Sequence, residues 1–240
     1  MAADILRVCT IDIGVITFTI YIEDCKLTEL ARLRKKFLAL PKSAQRRTRG
    51  PVLNELDAIF NEVYLCGERM FLEVTDIRSD TMKYEGKKGN GPLDRQTRLN
   101  LATYLEEIRD VFEDVDVIRV EQQFLNMFSR GKKKASANMN AIKLGEDVFF
   151  WLITNFPEKD IDYFGAQFKT HVLGAPEKLT KPQRKKWSVG KATEIFELRG
   201  DEEALDGYKK KKGKKTKNDD KSDTVIMCQA FKYRTYVAKF

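Results

Sequence analysis

Residues 5–14 read Ile5-Leu-Arg-Val-Cys-Thr-Ile-Asp-Ile-Gly14, an apolar and β-branched run with one carboxylate near its end. The pattern predicts a buried strand from Ile5 to Ile13. Thr17 to Glu23 alternates as its hairpin partner across the short turn that contains Gly14. Burying Asp12 in such a strand costs several kcal/mol, on the order of 2–7 for a polar group without a partner, unless a cation or hydrogen-bond donors compensate it. Mg²⁺ is one such cation. The plain alternative is an ordinary Asp-x-Gly turn.

Working outward, a third strand is expected to begin at Lys26. The stretch from Ala31 to Gly50 turns basic and reads as an inserted loop or helix-loop. Pro51 to Leu65 has Leu53, Leu56, Ile59, Phe60 and Val63 at helical spacing behind a proline suited to a first turn. Met70 to Val74 reads as a strand, Lys83 to Pro92 as a mobile Lys/Gly loop, Arg95 to Phe112 as a helix and Asp116 to Glu121 as a buried strand. Beyond a lysine-rich loop at Ser129 to Ser136, Asn138 to Asn155 is an apolar helix. Ile161 to Phe168 is a strand candidate, Lys181 to Leu198 a basic helix, Asp201 to Lys217 a charged connection and Ser222 to Tyr236 a final helix. Strands interleaved with helices make this an α/β chain with a mixed sheet flanked by helices. Its 240 residues suit one elaborated domain, 1–240, with basic insertions at about 31–70, 83–92 and 201–217.

Composition narrows the partners. With 44 Lys+Arg against 36 Asp+Glu the formal net charge is +8, which favours polyanions, although solubility alone accounts for a modest excess. Cys9, Cys25, Cys66 and Cys228 form no CxxC pair, which argues against a zinc site or a disulfide framework. Reduced, mostly buried thiols are the expectation, and with them a reducing intracellular compartment. No stretch resembles a signal peptide or a membrane span, so no membrane partner is expected.

Three further carboxylates sit where elements meet. Glu121 ends a strand in Arg119-Val-Glu-Gln-Gln123, and Asp220 and Asp223 open the last helix in Asn218-Asp-Asp-Lys-Ser-Asp223. Residues three apart lie on one helical face, and a helix N-terminus favours negative charge. If the Asp12 and Glu121 strands are neighbours, four carboxylates converge. That is enough oxygen to bind two hard cations together with a phosphate. Two such ions roughly 3.5–4 Å apart activate water and stabilise the leaving 3′ oxygen in phosphodiester hydrolysis. No nucleophilic side chain is then required, which suits a chain whose single histidine, His171, is expected to pack or make a structural hydrogen bond. Taken singly, Glu121 reads equally as a salt-bridge partner, and the last aspartates as helix caps.

At these residues the chain resembles the RuvC-type Holliday-junction resolvases, particularly the branch carried by poxviruses and other large DNA viruses. The resemblance runs through Ile11-Asp-Ile-Gly14, Val120-Glu-Gln-Gln123, Ala137-Asn-Met-Asn-Ala-Ile-Lys143, Lys185-Lys-Trp187 and Asp219-Asp-Lys-Ser-Asp223, and spans nearly the whole chain. It implies a ribonuclease-H-like sheet, a homodimer, dependence on Mg²⁺ or Mn²⁺, and paired symmetric nicks across four-way and other branched DNA at the site of viral replication. It also implies that Asp12, Glu121, Asp220 and Asp223 are the catalytic metal ligands, with adjacent Asp219 permitting a one-residue slip. The helix from Asn138 resembles the segment that helps form the dimer, although Ile142, Leu144, Val148, Phe149 and Leu152 read as core. Phe124 and Phe128 are candidate wedges at the junction, and Trp187 reads as a core anchor.

Basic clusters lie close in sequence to the acidic motifs: Lys132, Lys133 and Lys134; Lys181, Arg184, Lys185 and Lys186; and Lys214, Lys215 and Lys217 in the run that starts at Lys209. Each is a candidate contact to DNA phosphate, which positions a duplex without reading its sequence; each reads equally as a solvated charge run. Two alternatives belong beside a resolvase: an RNA–DNA hybrid nuclease or other enzyme of the same superfamily, and a non-catalytic branched-DNA-binding protein. A sugar-kinase or actin-like ATPase would need a second related domain and another glycine-rich loop, and the chain has neither.

Overall fold

The computed structural model describes residues 4–45, 54–84, 93–123, 138–176, 178–208 and 218–239. Their order is β1 (Ile5–Asp12), β2 (Phe18–Lys26), α1 (Leu27–Ala39), α2 (Lys42–Gln45), α3 (Asn54–Leu65), β3 (Gly67–Thr75), α4 (Asp80–Tyr84), α5 (Arg95–Glu107) and a 3₁₀ turn at Arg109–Phe112. There follow β4 (Val117–Gln122), α6 (Met139–Asn155), β5 (Asp160–Gly165), α7 (Ala166–His171), α8 (Lys181–Arg199), α9 (Glu202–Tyr208), α10 (Asn218–Lys232) and a π turn at Tyr233–Ala238.

The strands form one five-stranded sheet in the order β3-β2-β1-β4-β5. β2 runs antiparallel to both β1 and β3, while β4 is parallel to β1 and β5 to β4. This is the mixed sheet flanked by helices that the order of elements predicts.

Period-two alternation sorts each strand between two cores. Cys9, Ile11, Ile20, Ile22, Ile118 and Val120 pack with α5 and α6 on one face. Leu6, Val8, Tyr21, Cys25, Val117 and Phe164 pack with α1, α3, α8 and α10 on the other. The central helix of that second layer is α10, buried from Thr224 to Tyr233, as expected of a helix enclosed on all sides. Its partner α8 starts with a capping box in which Gln183 Oε1 accepts from the Thr180 backbone N–H at 2.8 Å, and it ends at Gly200 in the left-handed region.

Several expectations need correction. Lys26 begins no third strand: β2 runs on to it, and α1 follows because Leu30, Leu33 and Phe37 recur at helical spacing and are buried. The basic stretch from Ala31 therefore opens as a core helix, and within 31–70 both α1 and α3 add side chains to the core. Residues 46–53 and 85–92 lie outside the described residues, as does most of the expected Lys83–Pro92 loop. The strand proposed to reach Phe168 stops at Gly165, where α7 begins. The charged connection after Asp201 opens with α9, and the last helix starts at Asn218, four residues earlier than expected. No helix among the described residues is long and apolar enough to cross a membrane.

Candidate active site

The parallel β1–β4 register pairs Ile11 with Val120. The next residue on each strand, Asp12 and Glu121, therefore leaves the sheet on the same face, the one covered by α10. Thr10, two residues before Asp12, points the same way, and its Oγ1 donates to the Thr224 carbonyl of α10 at 3.0 Å. That contact seats the first turns of α10 over the ends of both strands.

Asp12 and Glu121 are both buried and hydrogen-bonded to each other. Burial, then the neighbouring Glu121 carboxylate, pushes the Asp12 carboxyl well above its ordinary range. Burial acts on Glu121 in the same direction, but the Lys169 ammonium and the bond to Asp12 outweigh it and hold Glu121 below that range.

Lys169 was not anticipated from sequence. It lies on α7, is buried, and places Nζ 2.8 Å from Glu121 Oε1 and 2.9 Å from Asp223 Oδ2. A lone lysine after a strand carries no recognisable signal. What identifies it is burial together with two carboxylate partners, and both are tertiary facts.

The remaining aspartates are arranged unevenly. Asp223 joins Asp12, Glu121 and Lys169. Asp220, one turn earlier on α10, bonds to the Thr17 side chain in the β1–β2 turn, and burial raises its carboxyl above the usual range. At Gly14 in that turn, a Cβ would crowd Thr17 O and Oγ1 at 3.0 Å. Asp219 instead pairs with Lys185 of α8.

A cavity of about 330 Å³ opens over this cluster, lined by Glu121, Lys169, Thr170 and Asp223 and walled by Lys181, Arg184, Lys185 and Ser188 of α8. Three of the four basic residues expected on α8 therefore face the carboxylates, and Lys186 does not line the cavity. Lys132, Lys133, Lys134, Lys214, Lys215 and Lys217 lie outside the described residues, as do Phe124 and Phe128. His171 is exposed rather than packed, because it falls on the last, outer turn of the short α7. Trp187 packs against the core while only partly buried. Cys9, Cys25 and Cys228 are buried free thiols, and Cys66 is half-buried.

The donors fit a hard cation, because Asp12, Glu121 and Asp223 offer carboxylate oxygens alone, the chemistry that Mg²⁺ takes. Among the described residues no group of three or more His, Cys, Asp or Glu side chains stands ready-made to hold a metal ion. The Lys169 ammonium fills the position between Glu121 and Asp223.

The chain is 29% identical over 147 residues to uncharacterized protein 97L of Invertebrate iridescent virus 3; the match spans 60% of this chain and 62% of that protein, less than two thirds of its length. Its path is similar to the Thermus thermophilus RuvC structure, with a TM-score of 0.46 at 11% identity over 96% of this chain and 98% of that one. It is also similar to T. thermophilus RuvC in complex with Holliday junction substrate, with a TM-score of 0.43 at 12% identity over 92% of each chain. No family model matches the chain.

Proposed function

We propose that the chain is a divalent-metal-dependent endonuclease that resolves four-way and other branched DNA by phosphodiester hydrolysis. The observation that carries this reading is the gathering of Asp12, Glu121 and Asp223 around one cation position at the floor of a cavity whose wall presents Lys181, Arg184 and Lys185. Asp12, Glu121 and Asp223, with Asp220 one turn away on α10, would hold Mg²⁺ or Mn²⁺, two ions for a full set. When bound, such ions activate water and stabilise the departing 3′ oxygen. The chain's own part is electrostatic: the α8 cations hold the backbone over the carboxylates, and Lys169 neutralises the buried cluster until a metal enters.

A homodimer would set two such sites on one junction and make paired, symmetric nicks. The exposed face of α6, with Met139, Phe150 and Ile153, is the surface proposed for it. The viral relative supports a viral origin for the chain.

One observation favours a second reading, a non-catalytic binder of branched DNA: Lys169 already satisfies Glu121 and Asp223 without a metal. The two separate in one experiment, in which a four-way junction, a linear duplex and an RNA–DNA hybrid are incubated with Mg²⁺ and wild type or Glu121→Gln. Paired nicking of the junction that disappears in the variant is expected. Preferential hybrid cutting would point to a hybrid nuclease, and junction binding without cutting would establish the binder. Amide variants of Asp12, Asp220 and Asp223 should likewise lose cleavage and keep binding.

A further inference from the structure

We propose that a second groove, continuous with the first, seats the backbone phosphate next to the one that is cut, with Lys178 and His171 as its donors. The proposal rests on the nuclease reading and extends it to residues that carry none of the metal chemistry.

The first cavity ends at Thr170 and Arg184. A second, of about 360 Å³, shares those two residues and continues along His171, Ala175, Pro176, Lys178 and Leu179. Shared walls make one path from the carboxylate cluster to the segment between α7 and α8. The lining changes character along it. Glu121 and Asp223 mark the first part, where a phosphate needs a cation between itself and the carboxylates. Among the described residues that line the second part, the charged side chains are Lys178 and Arg184, and both attract a phosphate. Ala175, Pro176 and Leu179 supply an apolar floor against which a sugar can lie, and Lys178, His171 and Arg184 supply the donors.

Two features set these cations apart. Several arginines elsewhere are tied to carboxylates, as Arg7 is to Asp24, Arg32 to Glu62, Arg69 to Asp201 and Arg119 to Asp160. Among the described residues neither Lys178 nor Arg184 takes part in such an ion pair, which leaves both free for an anion from outside. Lys178 also has φ +59, a left-handed conformation in which a side chain is disfavoured and glycine is at ease. Residues held in this region are concentrated at ligand sites, and here the strained residue points a cation at the groove.

The backbone argument makes the test clean, because Lys178→Gly removes the cation while relieving the strain. Cut positions on a four-way junction are first mapped with Mg²⁺. Binding of the full chain is then measured in EDTA to junctions that carry one neutral methylphosphonate, placed in turn at each phosphate near the cut. Wild type is expected to lose affinity severalfold when one flanking phosphate is neutral. In Lys178→Gly that position should no longer matter, the logarithmic salt slope should fall by about one, and the melting temperature should hold or rise. His171→Ala should weaken the response to the same phosphate.

The inference is overturned if Lys178→Gly responds to that phosphate as wild type does, or if wild type cuts the junction but senses no flanking phosphate. A wild type that neither binds nor cuts any DNA would overturn the nuclease reading along with it.

Discussion

The Lys169 ammonium lies 2.8 Å from Glu121 Oε1, and each side chain is only 8% exposed. A buried cation thus holds the place of the metal that the cluster of carboxylates would take. Removing one partner of such a pair leaves an uncompensated buried charge, which costs about 3–5 kcal/mol. Lys169→Met should therefore lower the melting temperature in EDTA, and Mg²⁺ should restore part of the loss by binding the freed carboxylates. Equal melting temperatures for wild type and variant in EDTA would refute the pairing.

The two adjacent aspartates at the start of α10 should behave differently. Asp219 is occupied by Lys185, whereas Asp220 faces the Thr17 turn beside the cluster. Loss of a ligand's supporting partner typically costs 10–100-fold, and loss of the ligand itself more. Asp220→Asn should reduce junction cleavage more than about a hundredfold, and Asp219→Asn no more than about tenfold. The reverse order in single-turnover rates would move the ligand to Asp219.

Away from the site, Glu23 is fully buried in an ionic network. Arg199 Nη1 lies 2.8 Å from its Oε2, Lys232 pairs with its Oε1, and Tyr21 and Gln229 donate to it. Burial alone would raise the Glu23 carboxyl; Arg199 and Lys232 outweigh it and hold the group at about 2, against 4.5 for a free glutamate. The depressed value means that the stabilisation is complete above about pH 4.5 and is lost as pH falls toward 2; it is worth roughly 3 kcal/mol. Urea unfolding at pH 6, 4 and 2.5 should show this loss in wild type. Glu23→Gln should be less stable at pH 6 and flatter across the window; a parallel pair of curves would rule the network out as the source.

Gly67, at the start of β3, lies against the same network. A Cβ there would run into the Glu23 carboxylate and come within 2.6 Å of Arg199 Nη2. Neither group can swing away, since both are buried. Gly67→Ala should therefore destabilise the fold by about 1–3 kcal/mol, the range for overpacking. A change in the denaturation midpoint equivalent to less than about 0.5 kcal/mol would show that the network yields more easily than its burial implies.

On α6, Phe150 is 68% exposed, opposite the buried stripe of Ala141, Leu144, Val148 and Leu152. If this face forms the homodimer, Phe150→Arg should leave stability within about 0.5 kcal/mol, as surface changes do, and shift the sedimenting species from dimer to monomer. A wild type that sediments as a monomer, or a variant that remains a dimer, would remove α6 from the interface.

Much of this was legible along the chain because it depends on local period. β1, the β2 hairpin, β4 and α8 announce themselves through alternation, helical spacing and capping residues. Asp12, Glu121 and Asp223 stand out as charges beside apolar elements. Composition masks period in α1, which reads as part of an inserted loop or helix-loop because Arg32, Arg34, Lys35 and Lys36 surround the buried Leu30, Leu33 and Phe37. Glu23 ends the alternation from Thr17, yet strand parity cannot say whether a charge on the inner face meets water or a buried arginine.

The sequence by itself determined the α/β order of elements and which carboxylates stand at their ends, since both follow from neighbours a few residues apart. Only the tertiary structure decided that Lys169 joins Glu121 and Asp223, that Asp219 turns to Lys185, and that Glu23 meets Arg199 and Lys232. The physical reason is distance along the chain: those partners lie between 34 and 209 residues apart, and packing of α7, α8 and α10 on one sheet face brings them together.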